Sequence, residues 1–462
     1  MLAKLKKKYI GDWDFYQKYL LLAIPMILQN AITNLVSFLD NIMVGQLGTE
    51  QMSGVAIVNQ LIFVYNLAIF GAVSAASIFG AQYFGKGNHK GHMYSFRFKL
   101  YATLLVTGGA ILLFLTKGSA LISLYLTDTV GNGATDLALQ YGLEYLAIMM
   151  VGLIPFAVNQ SYATNIKETG QTFIPMLASF VAVGTNAILD YLMIFGIGPF
   201  PELGVQGAAL ATVIARYIEA LIVVIWAHIH RGKNRYLEGA YTGFGIPLAE
   251  LKAILIKGFP LMMNEVLWAA GMTTVTQCYS VRGLNVVAGL NIASTITNLF
   301  NIVYLQLGSC ISIVVGQYLG AGKLEDAKDA DNKMIVFSVF CCVIMAVLMF
   351  VVGGFFPGIY NTTEEIRELA TSFIAVSAII MPFCAFSHAS YFTLRSGGKT
   401  VVTFLFDSVF TWVIVVPAAY LLAHFTGLGI VSIYFLVQGT ELIKVIIGYL
   451  MVKSNVWVVQ MV

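Results

Sequence analysis

Apolar residues in this chain gather into long unbroken runs, not into alternating or one-faced stripes. Twelve runs have ~20 residues or more, the length a helix needs to cross a bilayer core. They cover approximately 16–43, 52–80, 95–116, 140–163, 172–196, 206–228, 250–276, 284–316, 333–353, 366–391, 400–423 and 428–452. Short loops rich in glycine, asparagine, proline or charge separate them, as at Gly85-Lys86-Gly87-Asn88 and Gly196-Ile197-Gly198-Pro199. The pattern predicts an all-α polytopic membrane protein of twelve transmembrane helices.

The runs repeat. Ile24-Pro25 and Phe259-Pro260 stand 235 positions apart. At the same offset Gly54 meets Gly289, Gln82-Tyr83-Phe84-Gly85 meets Gln317-Tyr318-Leu319-Gly320, Gly87 meets Gly322 and Tyr125 meets Tyr360. Further on the offset is 227, where Pro155 meets Pro382 and Gly170 meets Gly397. Each copy holds six spans, an even number, so the two share one topology. The prediction is two six-helix lobes, 1–235 and 236–462, related by a pseudo-twofold axis along the membrane normal. The basic loop around His228 to Glu250 joins them. Such twofold copies are an architecture of alternating-access transporters.

Composition agrees with a membrane class. Of 462 residues 58% are hydrophobic and 11% charged, against about 25% charged in soluble domains; mean hydropathy is +0.82. Of the 26 lysines and arginines, 22 fall on the N-terminal side of the membrane, three on the other, and Arg216 lies inside a span. That asymmetry predicts both termini in the cytoplasm, and the expected location is the plasma membrane. No small-residue cleavage pattern follows the first run, so no signal peptide is expected. The five cysteines include no CxxC pair and read as small buried residues, not as a disulfide frame or metal site. A net charge of +3, spread over short loops, argues against a nucleic-acid partner. The chain lacks a phosphate-binding glycine loop and paired catalytic motifs such as HExxH, which argues against ATP coupling and against an enzyme.

Charges inside the spans are the candidate chemistry. Asp40 ends a long apolar run, and a charge at the bilayer centre costs ~2.5–3.5 kcal/mol on insertion scales. Pro25, fifteen positions earlier, frees a backbone carbonyl and makes the helix bendable, a hinge. Asp190 lies at a similar depth in span 5, with Asn186 one turn before it on the same face. If spans 1 and 5 pack together, Asp40, Asp190, Asn186 and Thr212 converge. That set can hold a sodium ion through hard oxygen ligands or a shared proton between neighbouring carboxylates. Alternatively the two acids bond only to backbone or serine within their lobe. Asp40 meets Val275 and Asp190 meets Pro417 in the second copy, so an ion site is expected in the first lobe alone. In span 7, Glu265 and Trp268 share a face suited to an organic cation. Asn30 is the first-copy counterpart of Glu265. His388 and Asp407 near the inner ends of spans 10 and 11 are possible gate residues, with Asp407 a tether for the Arg395–Lys399 loop. Arg216 with Glu219, and Glu441 with Lys444, are spaced as internal neutralising pairs. Methionines Met149, Met150, Met262, Met263 and Met272 suit helix packing or an adaptable cleft.

An ordered set of motifs resembles the multidrug and toxic compound extrusion (MATE) transporters of bacterial type. The carriers are Asp40-Asn41-Ile42-Met43-Val44-Gly45, the GQYxGxG-like ends of spans 2 and 8, and Asn186-Ala187-Ile188-Leu189-Asp190. Gly204-Val205-Gln206-Gly207-Ala208-Ala209-Leu210-Ala211-Thr212 and Leu394-Arg395-Ser396-Gly397-Gly398-Lys399-Thr400 complete the set. The resemblance implies a secondary antiporter. It would export organic, often cationic, compounds through a cleft between two lobes, driven by an inward H+ or Na+ gradient, with no other cofactor. Family members with a functional glutamate in span 7 carry it about one turn later, where this chain has Trp268, and often pair it with an aspartate at the place of Cys384. The expected partners are small organic molecules and the lipid bilayer, with the protein a monomer. The other reading is a lipid or lipid-linked oligosaccharide flippase of related architecture, which would favour arginine-rich spans.

Overall fold

A computed structural model describes residues 9–126 and 132–462, with the side chains of 36–39, 41 and 132–134 outside the description. The lysines before residue 9 also lie outside the described residues. The first copy comprises α1 (Trp13–Gly45), α2 (Thr49–Lys86), α3 (His89–Ser123), α4 (Asn132–Val151), α5 (Leu153–Glu168), α6 (Phe173–Ile194) and α7 (Val205–Ile229). The second comprises α8 (Leu248–Ser280), α9 (Leu284–Gly320), α10 (Leu324–Gly353) and α11 (Glu364–Ser396), followed by α12 (Thr400–Phe404), α13 (Val416–Phe425), α14 (Ile430–Gly439) and α15 (Glu441–Lys453). Among the described residues, ten helical stretches are long and apolar enough to cross a membrane, and the bent pair α4–α5 makes an eleventh. The 33-residue α1 supplies the twelfth. The protein is thus an all-α, twelve-span membrane protein.

Three spans that read as uniform runs are broken. The fourth bends by 44° between α4 and α5. Pro155 has no N–H to give to the Val151 carbonyl, and Gly152 sits at the bend. The Gly152 carbonyl instead accepts from Arg216 Nη1 at 3.3 Å. In the eleventh, two π-helical turns, Leu405–Val409 and Thr411–Val415, stand between α12 and α13. The twelfth is interrupted at Thr440, between α14 and α15. Hydropathy registers none of these, because each changes hydrogen-bond register without changing composition.

The chain forms two compact units. One contains the described residues up to Ala23, Ala81–Asn88 and Ala253–Val462; the other contains Ile24–Gly80 and His89–Lys252. The division crosses α1 one residue before Pro25. Each unit has its own core. Val58, Ile69, Ile122, Leu146, Met149 and Ile194 centre the first-copy unit. Cys342, Met349, Phe373, Met381, Ala419 and Ile433 centre the other.

The repeat reappears in the backbone. Gly87 and Gly322 have φ of 72° and 73°, the left-handed conformation that favours glycine after a helix. A Cβ on Gly54 would meet Gly142, and one on Gly289 would meet Leu369, the residue 227 positions on from Gly142. Within the unit that holds Ala81–Asn88, the two Gln-Tyr-x-Gly segments lie on each other. A Cβ on Gly85 would strike the Gln317 backbone, and one on Gly320 the Gln82 backbone. Gln82 also binds the C-terminal tail: its Oε1 accepts from Met461 N at 2.8 Å and its Nε2 donates to Val459 O at 3.2 Å. The loop after α7 is fastened to its own unit by Arg97, whose guanidinium donates to the carbonyls of Gly239, Ala240 and Gly245 at 2.6–2.9 Å.

Candidate ion and substrate site

Helix α6 buries one stripe, Ala178, Ala182, Asn186, Asp190 and Met193, spaced at three and four residues. Its opposite face shows Ile188 and Tyr191 outward. The two polar residues of the stripe are therefore turned inward with the small ones. Helix α7 approaches closely because Gly207 has no side chain; a Cβ there would lie 2.6 Å from the Met193 carbonyl. Close approach of this kind is how small residues bring membrane helices together. It sets Thr212 Oγ1 3.4 Å from Asn186 Nδ2.

Asp40, on α1, brings its carboxyl into hydrogen-bonding reach of that of Asp190, with Asn186 beside Asp190. Asp190 is fully buried. Both of its oxygens, and Oδ1 of Asp40, are buried without a full hydrogen bond, and the Asn186 amide is the neighbouring donor. Ionised carboxylates only accept hydrogen bonds, so two that face each other lack the hydrogen that would join them. In low dielectric, adjacent like charges strongly disfavour the doubly ionised state. One proton between the pair, or a hard cation against their oxygens, satisfies both. Asp40, Asn186, Asp190 and Thr212 thus form one cluster within one unit.

Two charges near this cluster have partners that spacing does not indicate. Arg216 and Glu219 make no ion pair. Arg216 reaches the Gly152 carbonyl and lies 5.1 Å over the Phe156 ring. Glu219 accepts from Ser179 Oγ, whose oxygen also takes a hydrogen bond from Gln29 Nε2 at 2.7 Å. Pro25 lies within an otherwise continuous α1. Beyond it, Asn30, Thr33 and Asn34 donate to the carbonyls four residues earlier at 2.9 Å. This back-bonding is a local use of polar side chains that favours helix bending.

In the other unit, Glu265 is half-buried and Trp268 is 38% exposed, both on α8. Asn30 belongs to the first-copy unit, so Asn30 and Glu265 are described separately. Asp407 occupies the first π-turn, and the partners of its two oxygens lie outside the Arg395–Lys399 loop. Its Oδ1 accepts from Lys444 Nζ at 2.8 Å and its Oδ2 from Asn264 Nδ2 at 3.0 Å. Asn264 Oδ1 in turn accepts from the Ser408 backbone N–H and hydroxyl. Lys444 therefore pairs across 37 residues with Asp407, not with Glu441 three residues away. His388 Nδ1 lies 2.9 Å from the Cys384 carbonyl, and its ring packs on Tyr304 with centroids 4.6 Å apart.

The MatE family model matches residues 25–192 and 260–421, more than half of the chain and one segment in each copy. The chain belongs to the MatE family. A probable multidrug resistance protein NorM of Thermotoga maritima is 23% identical over 413 residues, with 89% of this chain and 86% of the relative aligned. A probable multidrug resistance protein YoeA of Bacillus subtilis is 22% identical over 443 residues, covering 94% and 92%. Among solved structures, a MOP superfamily transporter from Pyrococcus furiosus superposes with TM-score 0.85 at 20% identity over 96% of both chains. A MATE crystallised in the bent conformation also gives 0.85, and one in the straight conformation 0.84, each at 20% identity and with at least 95% of either chain covered. At this identity the structural likeness establishes the twelve-helix fold.

This MatE protein also holds a buried network that the motifs do not mark. Lys99 Nζ donates to Glu168 Oε1 at 2.5 Å and to Asn165 Oδ1 at 2.8 Å, and His92 Nε2 lies 3.3 Å from Glu168 Oε2. Lys99 is fully buried and Glu168 almost so. A lysine four residues inside the third apolar run was the available signal. Positive-inside arithmetic places it with the loop charges, because that count does not separate paired from hydrated lysines.

Proposed function

We propose that the chain is a secondary antiporter of the plasma membrane that exports small organic, often cationic, compounds against their gradient. Both termini face the cytoplasm, and an inward H+ or Na+ gradient drives transport. The observation that carries this reading is the Asp40–Asp190 pair: facing carboxyls with buried, unfilled oxygens, beside Asn186 and Thr212. A pair of that kind binds a proton or a light cation and changes its charge when it does. Coupling follows when the bound and free forms favour different conformations, since a ligand that binds two states equally shifts nothing.

Pro25 is the proposed hinge of α1, and the boundary of the two compact units one residue before it supports that assignment. Glu265 and Trp268 offer an acid and an aromatic face to an organic cation, with Asn30 as the first-copy counterpart. His388 and Asp407 shape the inner part of the second unit. No covalent step is required of any of these groups, so the protein works as a carrier and not as an enzyme. A flippase reading gains no support from Arg216, whose guanidinium is occupied by Gly152 and Phe156.

The test is transport in proteoliposomes with an organic cation dye as substrate. An imposed proton or sodium gradient is expected to drive dye against its own gradient, and collapsing that gradient is expected to stop it. Uphill movement in the absence of both gradients would overturn the antiporter reading.

A further inference from the structure

Two polar layers cross the first-copy unit on the same three helices. The Asp40, Asn186, Asp190 and Thr212 cluster is one. The other lies nearer the N-terminal side: Gln29 is eleven residues before Asp40 on α1, Ser179 seven before Asn186 on α6, and Glu219 seven after Thr212 on α7. Seven residues of helix set the layers about 10 Å apart. Hydrogen bonds join the second layer. Gln29 Nε2 donates to Ser179 Oγ at 2.7 Å, and the Ser179 hydroxyl donates to Glu219 Oε1. Asn159, on α5, brings its side chain within hydrogen-bonding reach of the same carboxyl. Ser179 and Asn159 are buried and Glu219 is half-buried. Two carbonyl oxygens of this layer, Gln29 Oε1 and Asn159 Oδ1, are buried with no hydrogen-bond partner.

The charges whose fields reach Glu219 are Arg216 on its own helix and Lys167 on α5, and among the described residues neither forms an ion pair with it. Arg216 directs its guanidinium to the Gly152 carbonyl and the Phe156 ring. On α5, Tyr162 is bonded to Tyr241 and Glu168 to Lys99; on α4, Tyr145 is bonded to Asn59. Further along α7, His228 contacts the Val224 carbonyl, and Tyr217 is turned outward. Between Tyr19 and Asp40 α1 has no titratable residue, and α6 has none before Asp190.

The second-copy unit builds its corresponding layer differently. Asn264 stands 235 positions after Gln29. It bonds Asp407 and Ser408 of span 11, the counterpart of span 5. Lys444 of span 12, the counterpart of span 6, closes an ion pair with that acid at 2.8 Å. There an ammonium fixes the carboxylate. In the first-copy unit the acid stands on the sixth span itself, and neutral groups bond it. An ion pair in low dielectric holds its charge, whereas a carboxylate with neutral partners sheds its charge by taking a proton.

We propose that Glu219 is a second proton-binding carboxyl of the first-copy unit, separate from the Asp40–Asp190 pair, and that Ser179 and Gln29 pass its charge state to α1. Ionised Glu219 accepts from Ser179, whose oxygen is then open to Gln29, and α1 is held to α6 one turn beyond Pro25. Protonated Glu219 becomes a donor. It then competes with Gln29 for the Ser179 oxygen, and the unfilled carbonyl oxygens of Gln29 and Asn159 are further acceptors for its hydrogen. Use of this site in transport rests on the antiporter reading above; proton binding does not.

The experiment is an infrared difference titration, with a count of protons bound, on the full-length protein in lipid nanodiscs over the pH range in which transport is assayed. The background is Asp40→Asn with Asp190→Asn, which removes the other pair. A titration step is expected to persist there, and adding Glu219→Gln is expected to lower the protons bound per chain by about one, since linkage counts protons directly. Ser179→Ala removes a donor to the charged form, so it should move the midpoint to higher pH. A spin-label pair at Asn34 and a position in α6 should report a pH-dependent distance in the same background, and Gln29→Ala should lose that dependence while keeping the proton count. Thermal unfolding of each variant checks folding. An unchanged proton count in folded Glu219→Gln would overturn the site; if that variant does not fold, an unmoved midpoint in Ser179→Ala would overturn it. A distance that responds to pH equally in Gln29→Ala would overturn the link to α1. Absence of gradient-driven dye transport with the step intact would count against the antiporter reading alone.

Discussion

A carboxylate in a membrane span must be paired, protonated or ligated, and this chain uses different solutions. Asp407 is paired and doubly bonded; Asp40 and Asp190 face each other with acceptors unfilled. The first-unit cluster was legible because acids in apolar runs stand out and Asn186 and Asp190 share a helix face. The partners of Lys444 and Arg216 were not legible. Spacing of i,i+3 says which side chains are neighbours on a helix, but a long basic side chain reaches a different helix when a better acceptor waits there. From the cluster, Asp190→Asn and Asn186→Ala should each lower ion-driven transport, Asp190→Asn by ~10-fold or more, a loss of ~1.4 kcal/mol or more in coupling. Asp40→Asn with Asp190→Asn should be little worse than either alone, because groups acting as one unit are non-additive. Initial transport rates in proteoliposomes measure this, and losses that multiply would show two independent sites. Glu265→Gln should impair cationic substrates several-fold more than neutral ones of similar size. Competition assays with a matched pair of dyes would report it, and equal losses would remove Glu265 from substrate recognition.

At the scale of elements, the long apolar runs located every span, and the helices extend beyond most runs by several residues. The bend at Gly152, the π-turns and the interruption at Thr440 escaped, since hydrogen-bond register leaves no trace in hydropathy. The repeated Gln-Tyr-x-Gly ends served as a marker of duplication, and the fold gives them a physical cause: each glycine lets the other segment's backbone pass at contact distance. Gly320→Ala should therefore destabilise by ~1–3 kcal/mol, the usual cost of overpacking. A thermal-unfolding series in detergent reads it, and a wild-type midpoint would contradict the close crossing. Pro25→Ala should restore a backbone donor inside α1, stiffen the helix and lower turnover while leaving insertion intact. A spin-label pair at Asn34 and a fixed position in α6 should report an ion-dependent distance that shrinks in amplitude in Pro25→Ala. Wild-type distances indifferent to pH and sodium would remove the hinge from the mechanism.

For the whole molecule, duplication and family agree: the family model matches one segment in each copy, and the same glycine conformations close the second span of both. The copies differ in their charges. The first carries the facing carboxyls, and the second carries the Lys444–Asp407 pair and a buried Asp331 bonded by Thr393. On this asymmetry we propose that ion coupling sits chiefly in the first unit, at the cluster built on Asp40. The most direct test is uphill transport by Asp40→Asn, reconstituted in lipid vesicles and shown to be folded by its unfolding midpoint. The account predicts that wild-type protein concentrates an organic cation against its gradient under an imposed proton or sodium gradient, whereas Asp40→Asn only lets it equilibrate. Accumulation by Asp40→Asn at the wild-type rate and to the wild-type level would contradict it.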